Sequence, residues 1–525
     1  MKINRRKFLS TSAKAAATLA ALQSGLIPAF AEASLAINLA SDPRRPQYHL
    51  LPARNWMNDP NGPIFWKGRY HMFFQYNPNA AVWGDMHWYH SISPDMVHWK
   101  HLPVALAPGG PDTPDSAGCF SGTTVVNNGT PTFIYTGVAK ASATEATLRD
   151  GNSILKETQL LATSTDPELK TWTKRRRPVI PTPPKGLEVT GFRDPAPWKQ
   201  GDTWLMAVGS GEKGKGGMIL LYKSADLQNW EYLHPLIAGT APVGTGANPV
   251  DTGEMWECPD FFVLGNRHVL IYSTQGKVFW QVGDFDLKEL VFHPQQTGWL
   301  DYGTFYAPKT QLDKSGNRIL WGWIPETRPT AEYSASGWAG LVSLPRVLTL
   351  GPENQLRITP APAFQKLRQR ETKLQLAPAE PGSKILLSSP GLKDACGEIL
   401  CTLNPTEPFT LDLLTPIDKK DAKAVESQVS LLSIRYSHAN PGEIIVDQQK
   451  MPIHIAAGVP LELHLYIDGS VIELFANNES TYTKRFYYPG LTAPEIVANI
   501  TGKTSDIVRL VQYQITPISK DRLTT

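Results

Sequence analysis

The chain has 525 residues, 41% hydrophobic and 19% charged, with 51 Lys and Arg against 48 Asp and Glu for a formal charge of +3. That length exceeds one ordinary core and predicts two domains. The near-neutral balance, with no basic run beyond Arg175-Arg176-Arg177, argues against a nucleic-acid partner.

Residues 1–31 read as a targeting segment rather than structure. Arg5-Arg6-Lys7-Phe8-Leu9 resembles a bacterial twin-arginine export signal, residues 13–31 are Ala-rich and mildly apolar, and Ala29-Phe30-Ala31 has the small-x-small form of a cleavage site. The stretch falls short of the ~20 strongly apolar residues of a spanning helix, and nothing later supplies one, so no membrane span is expected. The expected destination is the periplasm or beyond.

The full chain carries 44 Pro and 41 Gly beside many aromatic residues, the mark of an all-β protein of short strands. Its first unusual stretch is Trp56-Met57-Asn58-Asp59-Pro60-Asn61-Gly62. Pro60 and Gly62 break regular structure, so Asp59 is expected at the end of a strand. The same residues also spell a tight turn. Two further carboxylates occur in equally unusual settings, in Arg193-Asp194-Pro195 and in Trp256-Glu257-Cys258-Pro259-Asp260.

A weak repeat runs through the same span. Ser93-Pro94-Asp95 precedes Trp99, Ser164-Thr165-Asp166 precedes Trp172, and Ser224-Ala225-Asp226 precedes Trp230, with 278–284 as a degenerate fourth copy ending at Asp284. The interval of roughly 60–70 residues suits a four-stranded blade, about five in all. Residues 351–372 are a Pro-containing linker with a charged, helix-compatible end. Beyond it, alternating strands such as 461–467 and 471–475, joined by an Asp468-Gly469 turn, predict a β-sandwich over 373–520.

Four Cys are too few for a disulfide scaffold. Cys119 and Cys258 are expected to be free and buried, while Cys396 and Cys401 leave a disulfide open in an oxidising compartment. No Cys/His cluster has metal-ligand spacing, and the Gly- and Lys-containing stretch 209–217 lacks the order of a phosphate loop, so neither metal nor cofactor is expected.

The three acid motifs, in this order, resemble those of glycoside hydrolase family 32, the fructosidase family of invertases, levanases and inulinases. The resemblance implies a five-bladed β-propeller over 46–350 followed by a C-terminal β-sandwich. It also implies a retaining hydrolase acting on sucrose or fructan, with Asp59 as nucleophile, Glu257 as general acid/base and Asp194 as transition-state stabiliser. Retention needs two carboxyl groups in different protonation states. Amide donors around Asp59 would favour its charged form, and the apolar neighbours Trp256, Cys258 and Pro259 would keep a proton on Glu257. Arg193 would hold Asp194 ionised or reach the substrate. Asn58, Gln75, Trp83, Phe120 and Ser121 fall on family positions that hold the sugar. Beyond Gly322-Trp323-Ile324-Pro325, where many members place another Trp, this chain has Glu326-Thr327-Arg328, a departure on the leaving-group side. The motifs leave open a fructosyltransferase of the same fold, a non-catalytic fructan-binding protein, and a related hydrolase of arabinose or xylose polymers, although Asn58-Asp59-Pro60-Asn61-Gly62 favours fructose. Preference among sucrose, inulin and levan, and the oligomeric state, are open.

Overall fold

The computed structural model describes residues 38–148, 154–240, 248–373, 384–416, 428–437, 439–455, 459–488 and 494–525; the expected export signal lies outside them. Strands dominate, and they form five sheets before residue 361 and two after it.

Each of the first five sheets opens with an inner strand: Asn55–Trp66, Gly118–Asn127, Val189–Gln200, Glu257–Leu264 and Tyr306–Leu312. Neighbouring inner strands touch in order and the first touches the last, which closes a ring of five blades. The ring is sealed by chain from its far end: Trp338–Ala339 lies parallel to Asn55 and Trp56 on the first blade. Gly340 then turns away at φ +78°, where a Cβ would stand 2.2 Å from the Met57 carbonyl oxygen. Middle strands such as Thr203–Glu212 are covered on both faces by adjacent blades, so their sequence, Thr-Trp-Leu-Met-Ala-Val-Gly-Ser-Gly-Glu, reads as a nearly unbroken apolar run. Outer strands such as Lys100–Leu106 are largely half-buried.

The sequence repeat is a turn after the third strand of four blades. Asp95 accepts from the backbone N–H of Val97 (3.1 Å) and His98 (2.9 Å), Asp166 from Glu168 (2.9 Å) and Lys170 (3.1 Å), and Asp226 from Gln228 and Asn229 (both 2.8 Å). In the fourth blade Asp286, not the expected Asp284, does this for Lys288 and Glu289, because the strand runs two residues further. Asp284 pairs with Arg267 instead.

All five inner strands carry the same irregularity. Two residues oppose one on the neighbouring strand between Met57 and Pro60, Cys119 and Gly122, Arg193 and Ala196, Glu257 and Asp260, and Tyr306 and Lys309. These are β-bulges, which kink the strand and re-aim its side chains. Asp59 is therefore not at a strand end, as expected from its Pro and Gly neighbours, but inside a twelve-residue strand at its bulge. Pro195, Pro259 and Pro308 each lie in such a bulge, where the N–H a proline lacks is not needed.

The linker is shorter than the 351–372 expected. Leu356–Pro360 is the last strand of the fifth blade, Pro362–Leu367 is a 3-10 turn, and Arg368–Lys373 already belongs to the second domain. That domain is two six-stranded sheets with Ile399, Leu411, Ile434 and Leu465 among the residues buried between them. Cys396 and Cys401 are both free and buried. They lie five apart on one strand and so face opposite sides, Cys401 in the sandwich core and Cys396 in the cluster against the propeller.

A buried charge cluster joins the domains. Arg346, on the fifth blade, donates to Asp301 (2.9 Å) and to Glu473 of the sandwich (2.7 and 3.2 Å). His49 bridges Glu473 (2.9 Å) and Asp468 (2.8 Å), and all five side chains have 0% exposure. Asp468 is thus an anchor rather than a turn residue, also receiving the backbone N–H of Gln47, Tyr48 and His49.

Because removing one partner strands buried charge, Arg346→Met should lower unfolding free energy by about 3–5 kcal/mol in denaturant titrations. Burial acts to lower the His49 pKa, but its bonds to Asp468 and Glu473 outweigh this and hold it above the usual 6.5. Its stabilising contribution is therefore complete below the unfolded value and is lost as pH rises through the folded one. The melting-temperature gap between wild type and His49→Gln should be widest near pH 5–6 and shrink toward alkaline pH.

Candidate active site

The bulges deliver three carboxylates to one pocket of about 620 Å³ lined by Asp59, Asp194 and Glu257 from the first, third and fourth blades. Backbone strain marks two of the deliveries: Asp194 has φ +66° and Cys258 has φ +48°, both left-handed and both within bulges.

Asp59 stands on a polar floor. Its Oδ2 accepts from Ser121 Oγ at 2.6 Å and its Oδ1 from Asn58 Nδ2 at 3.1 Å. Gln75 fixes both donors, receiving Asn58 Nδ2 at 2.7 Å and giving its own Nε2 to Ser121 Oγ at 2.7 Å. Trp56 Nε1 holds Asn58 Oδ1 at 2.9 Å. The donors expected from the sequence are present, yet the Asp59 pKa lies above its usual value. Burial is the largest cause, the Glu257 charge adds to it, and the Ser121 and Asn58 bonds only partly oppose it.

Asp194 is 2% exposed. Its Oδ2 accepts from the Cys258 backbone N–H at 2.8 Å, and its own N–H donates to Thr136 Oγ1 at 2.9 Å. Burial raises its pKa to about 7, with Arg193 opposing and the charges of Glu257 and Asp59 reinforcing. Cys258 is buried and free as expected, and its thiol lies 3.5 Å from both Asp59 Oδ2 and Asp194 Oδ2, linking the two acids.

Glu257 does not sit in the apolar setting that its sequence neighbours suggested. Its Oε1 accepts from Arg193 Nη2 (2.8 Å) and Nε (3.1 Å), and its Oε2 from the Tyr306 hydroxyl (2.7 Å). Arg193 therefore does not bond Asp194, its neighbour in sequence. The guanidinium spans Glu257 and the wholly buried Glu157, 2.7 Å from Nη1.

Of the residues singled out in the sequence, Asn58, Asp59, Gln75, Trp83, Phe120, Arg193, Asp194 and Glu257 line the pocket, and Ser121 lies just beneath it. Trp83 is 52% exposed, with Phe120 at its edge 5.9 Å away, an open apolar face at the rim. Sequence reasoning missed Tyr306 as a partner of Glu257, although its Tyr306-Ala307-Pro308 setting matches the other bulges. It also missed Glu157, a single acid inside a run that otherwise reads as a covered strand. Among the described residues no group of His, Cys, Asp and Glu is arranged to hold a metal ion.

Residues 49–360 match the family model described as glycosyl hydrolases family 32 N-terminal domain, and residues 424–515 match that of the family 32 C terminal. The chain belongs to glycosyl hydrolase family 32. It is thus a glycosidase. A sucrose-6-phosphate hydrolase from Zymomonas mobilis is 35% identical over 482 residues, covering 83% of this chain and 84% of that one. A raffinose invertase from Escherichia coli is 32% identical, covering 84% and 89%. Among solved structures, fructan 1-exohydrolase IIa from Cichorium intybus superposes with a TM-score of 0.74 at 28% identity, over 90% of this chain and 98% of that one.

The stretch Glu326-Thr327-Arg328 is held in place by charge. Glu326 is bound by Arg328 at 2.8 Å, by the Tyr487 hydroxyl and, at 3.6 Å, by Arg485 of the sandwich. Burial works against its ionisation, but Arg485 and Arg328 outweigh it and hold its pKa at about 2. The second domain thereby fixes one wall of the pocket.

Folding must bury Asp194 where its protonated form is favoured, so its charge costs stability as pH rises from the unfolded value of 3.8 through about 7. Asp194→Asn removes that cost. Its melting temperature relative to wild type should rise progressively between pH 4 and 8, with no gain at the acid end.

Proposed function

We propose that the protein is an exported, retaining β-fructofuranosidase that releases terminal fructose from sucrose or fructan. The observation that carries this reading is the pairing of Asp59 and Glu257 in one pocket with different partners. Asp59 rests on hydroxyl and amide donors, while Glu257 is held between a guanidinium and a phenol. Two carboxyl groups in different surroundings are what a nucleophile and an acid/base require, and the motif order of the family supports Asp59 in the first role and Glu257 in the second. The names of the similar proteins, invertase, sucrose-6-phosphate hydrolase and fructan exohydrolase, support fructose as the transferred sugar.

In this mechanism Asp59 attacks the anomeric carbon while Glu257 gives its proton to the departing glycosidic oxygen. A covalent fructosyl-enzyme forms on Asp59. Glu257, now ionised, takes a proton from water, which attacks the anomeric carbon from the face the leaving group left and displaces Asp59. Both described bonds to the Asp194 carboxylate fall on Oδ2, leaving Oδ1 for a sugar hydroxyl in the transition state. Trp83 offers its face to sugar C–H groups at the open rim. The twin-arginine-like segment at residues 1–31 supports export.

The test is fructose and glucose release from sucrose, inulin and levan, with the product's first-formed anomer followed by NMR. Wild type should yield free β-fructose, while folded Asp59→Ala and Glu257→Ala should lose about 10³-fold or more in kcat. An inverted product would rule out the covalent mechanism. Accumulation of longer fructans would make the protein a transferase, and binding without release would make it a lectin-like relative.

A further inference from the structure

Outside the pocket's own lining, the molecule has a second carboxylate aimed at the same guanidinium. Glu157 lies on the third strand of the second blade, Leu155–Thr163, and has 0% exposure. Each of its oxygens is committed. Oε1 takes Arg193 Nη1 at 2.7 Å, while Oε2 takes the Phe192 backbone N–H at 2.7 Å and Thr147 Oγ1 at 3.0 Å. Thr147 is fixed in turn by accepting the Glu157 N–H at 2.8 Å.

A buried carboxylate is costly unless it is paired and hydrogen-bonded, and Glu157 is both. The cation it pairs with is Arg193, whose other ion-pair partner among the described residues is Glu257. Through Arg193 the two acids share one positive charge across two blades.

We propose that Glu157 is a positioning residue for the reaction. It anchors Arg193 so that the guanidinium orients Glu257 toward the leaving group, and it takes a share of the Arg193 charge that would otherwise face Glu257 alone. The proposal rests on Glu257 being the acid/base. The other ionisable groups around Glu257 are Tyr306, which bonds it, and Asp59, Asp194, Asp251 and Cys258, which feel its charge. None of these bonds Glu157, whose partners are Arg193, Phe192 and Thr147, so a shift on substitution reports on the Glu157–Arg193 arm.

The experiment is sucrose hydrolysis across pH 4–9 by wild type, Glu157→Gln, Arg193→Met and the double variant, with folding checked by circular dichroism. Removing the Glu157 charge leaves Arg193 to stabilise ionised Glu257 alone. The alkaline limb of kcat/KM should therefore move to lower pH by about one unit. Near neutrality kcat should fall about 10–100-fold with KM within about threefold. Glu157→Gln should add little in the Arg193→Met background, since it acts through Arg193. An unmoved alkaline limb, or additive losses in the double variant, would overturn the proposal. Should Glu157→Gln fail to fold, Thr147→Val keeps the charge but removes one of the two donors to Oε2. It should then lower kcat several-fold in the same pattern, and an unchanged kcat would count against the inference. Glu257→Gln, assayed alongside, should abolish the alkaline limb; if it stays active with the limb intact, the acid/base assignment itself has failed.

Discussion

A propeller's inner strand has to satisfy two demands at once. It must hydrogen-bond along its blade, and it must turn particular side chains toward the axis. The five matched bulges reconcile these demands. At one level in every blade two residues stand against one, the ladder yields locally, and pairing resumes above and below. Asp59, Ser121, Asp194 and Ala307 all sit in the released positions, and Glu257 opens its own bulge. The pocket exists because the ladder is interrupted at the same height five times. Proline is tolerated at those places, as at Pro195, Pro259 and Pro308, because the N–H it lacks is not needed there.

The electrostatics of the pocket arise between blades. Arg193 belongs to the third blade yet serves Glu257 on the fourth and Glu157 on the second. Cys258 on the fourth contacts acids from the first and third. No blade holds a working subset of these groups, so each protonation state is a property of the ring. The sandwich extends this arrangement outward: Arg485 and Tyr487 secure Glu326 at the pocket wall, while Glu473 and Asp468 clamp Arg346 and His49 behind it.

Local signals in the sequence were therefore informative where the physics is local. The acids were legible because a Pro one or two residues after each is out of keeping with a regular strand ladder, and the four-blade turn was legible because an Asp accepting two backbone N–H groups is a short-range device. The Asp284 assignment slipped by two residues because strand length, unlike turn chemistry, is set by the neighbouring strand. Partnerships over distance were not legible. Arg193 adjoins Asp194 in sequence but pairs with Glu257, 64 residues away. The Glu257 surroundings could not be judged from Trp256 and Pro259, since a bulge points successive residues in unrelated directions. The lower boundary of the second domain was misread for a similar reason: Pro-rich text at 352–362 looks like linker, but the strand Leu356–Pro360 is defined by pairing with Arg346–Leu350.

Ring closure by Trp338–Ala339 against Asn55 and Trp56 has a consequence for the order of assembly. The contact joins residues nearly 300 positions apart, and the loop-closing entropy for it is met only after the intervening blades have formed. Individual blades can collapse as they leave the ribosome, but the pocket, whose acids span the first to the fourth blade, has no geometry until the last one docks. Catalytic competence should thus arrive late and all at once. A nascent chain arrested before residue 340 would hold all three acids and still have no active site.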